Sequence, residues 1–163
     1  MVRKLVTWLF VGLLALAAAA FAAGRGGLFA GKEPTDLGVK DGRLKPPSLA
    51  ENSVSSQAGL YPEHPKRAYA EIAPLTFTGD AAAALDRLRR LVEATEGARI
   101  VRSGPNYLYV QFRTRWLGFV DDAEFLLDRN AGVIHVRSAS RIGRKDFGVN
   151  RARIETIRAR FRA

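Results

Sequence analysis

Tyr107-Leu-Tyr-Val-Gln-Phe-Arg-Thr-Arg-Trp116, Phe119-Val-Asp-Asp-Ala-Glu-Phe-Leu-Leu-Asp128 and Val133-Ile-His-Val-Arg-Ser-Ala-Ser-Arg141 decide the fold. Each alternates with the period of two that a strand requires. In the first, Leu108, Val110, Phe112 and Trp116 face one way, and Tyr107, Tyr109, Gln111, Arg113 and Arg115 the other. A tight turn near Leu117-Gly118 joins it to the second, and Arg129-Asn-Ala-Gly132 joins the second to the third. Such short links predict an antiparallel meander.

Working outward, Ala98–Ser103 reads as a short strand before the Gly104-Pro-Asn106 turn. Asp80 is a good N-cap for a helix from Ala81 to about Glu96, whose apolar face is Leu85, Leu88, Leu91 and Val92, with Gly97 ending it. Glu71–Thr78 is a first strand, and Pro74 confines it to an edge. A last helix, about Val149–Phe161, carries Ile154, Ile157 and Phe161 on one stripe. The expected class is α+β: an antiparallel sheet of four to five strands with two helices packed on one face.

Ahead of this domain, Arg3 and Lys4 precede an uncharged apolar run over residues 5–23. That length just spans a bilayer core. It is either a signal anchor or a signal peptide, since Ala20-Phe-Ala22 fits a small-x-small cleavage site. Both readings put the domain beyond a bacterial inner membrane, tethered on the periplasmic side or released to the periplasm. Residues 24–50 read as a flexible tether, rich in Gly, Pro and charge, and residues 51–163 as one domain. Asn52–Ala70 reads as irregular, with Ser55, Ser56 and Gln57 in a row and Pro62 and Pro65 preventing regular structure.

Composition narrows the chemistry. There is no cysteine, which excludes disulfides, thiolate zinc and cysteine nucleophiles, and the two histidines cannot build a histidine-rich metal site. No cofactor is implied. The net charge of +10 reflects an arginine-rich composition or attraction to anionic lipid or polyanions. The basic residues are interleaved with acids, and nucleic acid is not an expected partner.

Alternation sorts the charged residues. Asp121, Ser138 and Ser140 fall on the core face of the sheet, and Asp122, Glu124, His135, Arg137 and Arg141 on the outer face with Arg113. The plain reading of the outer set is a cross-strand ion-pair lattice, about 0.2–1 kcal/mol per pair, that fixes register and keeps the sheet soluble. The functional reading is an arginine-lined site for phosphate or carboxylate. On the inner face, Asp121 needs donors, from the serines, Asn150 or a loop arginine. Asp146 and Arg151 flank the start of the last helix and complete the candidate set.

Enzyme templates fit poorly. Of Asp121, Asp122 and Glu124 only two can share a face as oxygen ligands, and Ser138 and His135 point apart. Asp146-Phe-Gly148 stands without any other kinase element.

Asn52-Ser-Val-Ser-Ser-Gln57, Ile72-Ala-Pro-Leu75, Phe112-Arg-Thr-Arg115, Gly118-Phe-Val-Asp-Asp-Ala-Glu-Phe125, Ile134-His-Val-Arg-Ser-Ala-Ser-Arg141 and Asp146-Phe-Gly-Val-Asn-Arg151 together resemble the domain of unknown function 1499 family. Pro34-Thr-Asp-Leu-Gly-Val39 and Gly42-Arg-Leu44 resemble its lead-in, so the likeness covers about residues 33–162. The resemblance implies bacterial, often membrane-linked proteins with plastid relatives, and no known activity. Ser53 stands where that family usually has cysteine. The reading that gathers these residues is a non-enzymatic module for a small anionic ligand or an envelope protein. Asn52, Ser55, Ser56 and Gln57 would close a site lined by Arg113, Asp122, Arg137, Arg141 and Asn150. The alternatives are an envelope-metabolism enzyme using an Asp/Glu cluster, and a helix-grip-like domain with a lipid cavity between sheet and helix.

Overall fold

The computed structural model describes residues 1–162. Helix α1 (Val2–Arg25) is the apolar N-terminal run. Its 24 residues extend about 36 Å at 1.5 Å per residue, enough to cross a bilayer by length and composition. The domain follows as β1 (Ser53–Ser55), α2 (Arg67–Ala70), β2 (Leu75–Thr76), α3 (Ala81–Glu93), β3 (Ala98–Ser103), β4 (Tyr107–Arg113), β5 (Val120–Asp128), β6 (Val133–Ser140) and α4 (Val149–Arg162). The sheet is antiparallel in the order β1-β6-β5-β4-β3, with β2 also pairing to β6. The α+β class and the two helices on one face are as expected.

Alternation along β4, β5 and β6 sends Leu108, Val110, Phe112, Phe125, Leu127, Ile134 and Val136 to the inner face. There they meet Leu85, Leu88 and Val92 of α3 and Ile154, Ile157 and Phe161 of α4 in one core. Asp80 caps α3 as expected, its carboxylate accepting from Ala83 N–H at 2.7 Å. These side chains fill the space between sheet and helices, where a helix-grip lipid cavity would have to lie.

Four expectations are corrected. Strand β4 stops at Arg113, so Trp116 belongs to the β4–β5 turn and is 66% exposed instead of facing the core. Glu71–Thr78 yields only the two-residue β2, because Pro74 cannot donate to a ladder. The polar string after Asn52 contains β1, which pairs Ser53 with Ala139 and Ser55 with Arg137. A short 3₁₀ turn (Ala58–Leu60) and α2 follow it.

The fourth correction concerns residues 24–50, read as a flexible tether. They have little regular structure, yet they lie across the outer face of the sheet as a strap. Leu44 is 1% exposed and packs with Leu37 against Tyr107, Tyr109 and Leu126. The outer face is therefore a second, smaller core. Its tyrosines carry enough apolar area to hold a segment that no periodicity announces.

Gly97 fixes the β3–β4 edge. Its φ is +76° and a Cβ there would lie 2.3 Å from the Arg113 carbonyl oxygen. Gly132 has a similar φ of +64° with open space around it. Gly132→Ala should cost about 1–2 kcal/mol for the left-handed backbone alone. Gly97→Ala, which adds a backbone collision, should cost about 3 kcal/mol or more, and urea denaturation of the two variants separates them.

Candidate functional site

The candidate residues divide into two buried networks on opposite faces of the sheet and one open cleft. The inner network centres on Asn150, which the first turn of α4 aims at β6. Its side-chain N–H donates to Ser140 Oγ at 2.9 Å, Asp146 Oδ2 at 2.8 Å and the Asn52 carbonyl at 3.2 Å. Its carbonyl oxygen accepts from Ser138 Oγ at 2.6 Å and from Arg153 at 2.9 Å. Arg153 also pairs with Asp121 and lies 4.8 Å over the Phe112 ring. The donor Asp121 was expected to need thus comes from α4, one helical turn beyond Asn150.

Asp146 caps the same helix start. It accepts from Gly148 N–H and Asn150 N–H, each at 3.1 Å, and from the Tyr69 hydroxyl. Burial pushes its carboxyl up, but the hydrogen bonds from Tyr69, Asn150 and Gly148 outweigh this and hold it below the usual range. Burial and Asp146 together push the Tyr69 hydroxyl up to about 12. Arg151 donates to the Tyr69 and Glu71 carbonyls at 2.7 and 2.9 Å, and Asn52 donates to the Gly143 carbonyl at 2.6 Å.

On the outer face, Glu124 is fully buried and Arg137 is 4% exposed, with Nη1 and Oε2 3.6 Å apart. Glu124 Oε1 accepts from the Tyr107 hydroxyl at 2.7 Å and from Gly38 N–H of the strap at 2.8 Å. Arg137 Nε donates to the Pro46 carbonyl at 3.2 Å. Burial draws Arg137 below its ordinary value, opposed by Glu124, Asp122 and Asp36, and a guanidinium stays charged regardless. Beside this pair, Arg141 grips Asp122 with two bonds of 2.8 Å, and Asp122 also accepts from the Tyr109 hydroxyl at 2.6 Å. Those bonds raise Arg141 above its ordinary value, and burial with the Asp122 contact pushes Tyr109 to about 12.

The solvated lattice expected on this face is instead covered by the strap, and two of its expected members, though on this face, stand at its ends away from the buried pairs. Arg113 stands opposite Val120, exposed, with its guanidinium beside Gly27 and Gly118. His135 stands opposite Leu126 and meets Ser56 Oγ at 3.3 Å and Asp128 at 3.8 Å. Ser55 Oγ accepts from Gln57 N–H at 3.2 Å, and Gln57 Oε1 accepts from Leu44 N–H at 2.8 Å. Asn52, Ser55, Ser56 and Gln57 therefore edge the sheet and do not close one site with Arg113 and Asn150. Among the described residues no group of three His, Asp or Glu side chains could hold a metal ion.

An open cleft of about 580 Å³ lies between the strap and the outer sheet face. Arg99, Gln111, Arg113, Arg141 and Glu33 line it. Arg99 donates to Gln111 at 2.7 Å, and Glu33 lies 3.7 Å from Arg141. Arg99 and Gln111 were missed as site residues. The β3–β4 register, which sets Arg99 opposite Gln111, could have found them.

Residues 43–161 match the family model described as Protein of unknown function (DUF1499). The chain belongs to the DUF1499 family. The match starts inside the expected lead-in at Gly42-Arg-Leu44 and takes in the inner network and the charged side chains of the outer one; α1 and the strap up to Gly42 lie before it. Neither the curated proteins nor the solved structures yield a match.

Arg137→Ala should lower stability by about 3–5 kcal/mol, because it strands a buried Glu124 carboxylate. Arg113→Ala should change it by about 0.5 kcal/mol or less. Chemical denaturation compares them. Asp146 titrates below its unfolded value, so its contribution is present above about pH 4 and is lost as pH falls through the folded value. Asp146→Asn should flatten the acid limb of a stability-versus-pH curve.

Proposed function

We propose that this DUF1499 protein is a membrane-anchored, non-enzymatic binding module that captures an anionic group in the Arg99–Arg113–Arg141 cleft. In this reading α1 stays in a bacterial inner membrane, Arg3 and Lys4 remain cytoplasmic and the domain stands on the periplasmic side.

One observation carries the reading. Two exposed guanidinium groups, Arg99 and Arg113, line a single open cleft floored by the buried Arg141, with one carboxylate, Glu33, at its rim. The other acid near Arg141, Asp122, is 1% exposed and already held from below by Arg141 and Tyr109. A planar fork of N–H donors suits a carboxylate or phosphate. Binding is favoured over catalysis because Asp121, Asp122 and Glu124 are each buried and each faced by an arginine. A general base must reach the proton it abstracts, and these carboxylates are spent on the fold.

The test is titration calorimetry of the full chain in zwitterionic nanodiscs with inorganic phosphate, pyrophosphate and citrate. At least one anion should bind, and Arg99→Ala or Arg113→Ala should weaken it about tenfold, near 1.4 kcal/mol, with melting temperature unchanged. Absence of binding by all three, or loss of affinity only in step with loss of thermal stability, would refute the reading.

A further inference from the structure

The C-terminal end of α1 is seated on the β4–β5 turn. Gly24 is the buried residue of α1, and a Cβ on it would lie 2.5 Å from the Leu117 carbonyl oxygen. The converse holds at Gly118, where a Cβ would lie 2.5 Å from the Gly24 carbonyl oxygen. Two glycines thus let two backbones touch. The Phe21 and Trp116 rings lie 6.1 Å apart on one side of this notch, and Phe29 stacks on Phe119 at 5.4 Å on the other. The turn is therefore fixed at the depth where α1 leaves the bilayer.

What the turn presents at that depth has a specific chemistry. Trp116 is 66% exposed, a large amphipathic ring of the kind that favours the membrane–water interface. Arg115 lies 5.5 Å over its ring and Arg25 lies 6.0 Å over Phe21. A groove of about 740 Å³ opens beside them, lined by Gly24, Arg25, Glu96, Arg113, Thr114 and Arg115. Three arginines face one acid there, Glu96, which Arg115 approaches at 3.8 Å.

We infer that this groove is a binding site for the phosphate of an anionic phospholipid headgroup, with Trp116 as its interfacial anchor. The bilayer is the source because α1 holds the groove at headgroup height, where a cluster of arginines attracts anionic headgroups. The site seats the domain upright on the membrane through a second contact besides α1. It is separate from the arginine cleft, with which it shares Arg113 at the rim, and it requires α1 to remain attached.

The experiment uses the full chain in nanodiscs, in a Trp8→Phe background that leaves Trp116 as the fluorophore. Trp116 should emit at short wavelength and be quenched by phospholipid brominated near the headgroup. Native mass spectrometry should show phosphatidylglycerol retained several-fold over phosphatidylcholine. Arg25→Gln with Arg115→Gln should bring the two lipids to parity at unchanged melting temperature, while Arg129→Gln, in the distant β5–β6 turn, retains the preference. A water-like, unquenched Trp116, or equal retention of both lipids by the unmutated arginine set, overturns the inference. So does release of phosphatidylglycerol by millimolar inorganic phosphate, which would mark a site for free anions. Loss of lipid preference on Arg99→Gln would move the lipid to the cleft and overturn the groove inference while leaving the cleft reading intact. Recovery of a mature chain lacking α1 overturns it as well.

Discussion

The structure depends on satisfying the backbone of segments that have no ladder of their own. A buried N–H or C=O without a partner costs about as much as a lost hydrogen bond. The strap over the outer face solves this with side chains from the sheet and from the turn after β1: Glu124 takes Gly38 N–H, Gln57 takes Leu44 N–H and Arg137 supplies the Pro46 carbonyl. The segment before α3 is treated alike by α4, where Arg158 donates to the Pro74 carbonyl at 2.5 Å and the Ala73 carbonyl at 2.7 Å. Charged groups suit this work because their hydrogen bonds are the stronger ones.

This explains why motif residues that look chemical are buried. Asp121 pairs with Arg153, Asp122 with Arg141 and Tyr109, and Glu124 lies beside Arg137 while accepting from Tyr107 and from Gly38 of the strap. A buried charge is tolerable only with a partner, so each acid brings its own arginine: Arg153, Arg141 and Arg137 in turn. Among the arginines left at the surface, Arg99 and Arg113 lie in the cleft and Arg25 and Arg115 beside the α1 groove. The proposed function uses the rim of the sheet near α1, while the buried charge pairs on the two faces serve stability.

Helix α1 and the domain are also in direct contact. Gly24 and Gly118 let α1 and the β4–β5 turn approach at backbone distance, which a Cβ on either would prevent. A helix tied to the domain by a free linker would leave orientation undefined. Here the strap begins at the notch and runs directly onto the sheet, so the end of α1, the turn and the cleft hold fixed positions relative to one another.

Local pattern was enough for much of this. Two-residue alternation set the faces of β4, β5 and β6 and put Asp121 with Ser138 and Ser140 and Asp122 with Glu124, because a pleated strand leaves each side chain only one side to occupy. The 3.6-residue stripes of α3 and α4 gave the helices, and the absence of charge over residues 5–23 gave the apolar segment. The strap, β1 and the cleft were not legible. Leu37 and Leu44 are single apolar residues among polar ones, with no period to mark them, and Arg99 meets Arg113 and Arg141 only through strand pairing and strap placement. Those contacts join residues far apart along the chain, and only the folded backbone decides which of them share a surface, how deeply each is buried and which arginines remain free to bind.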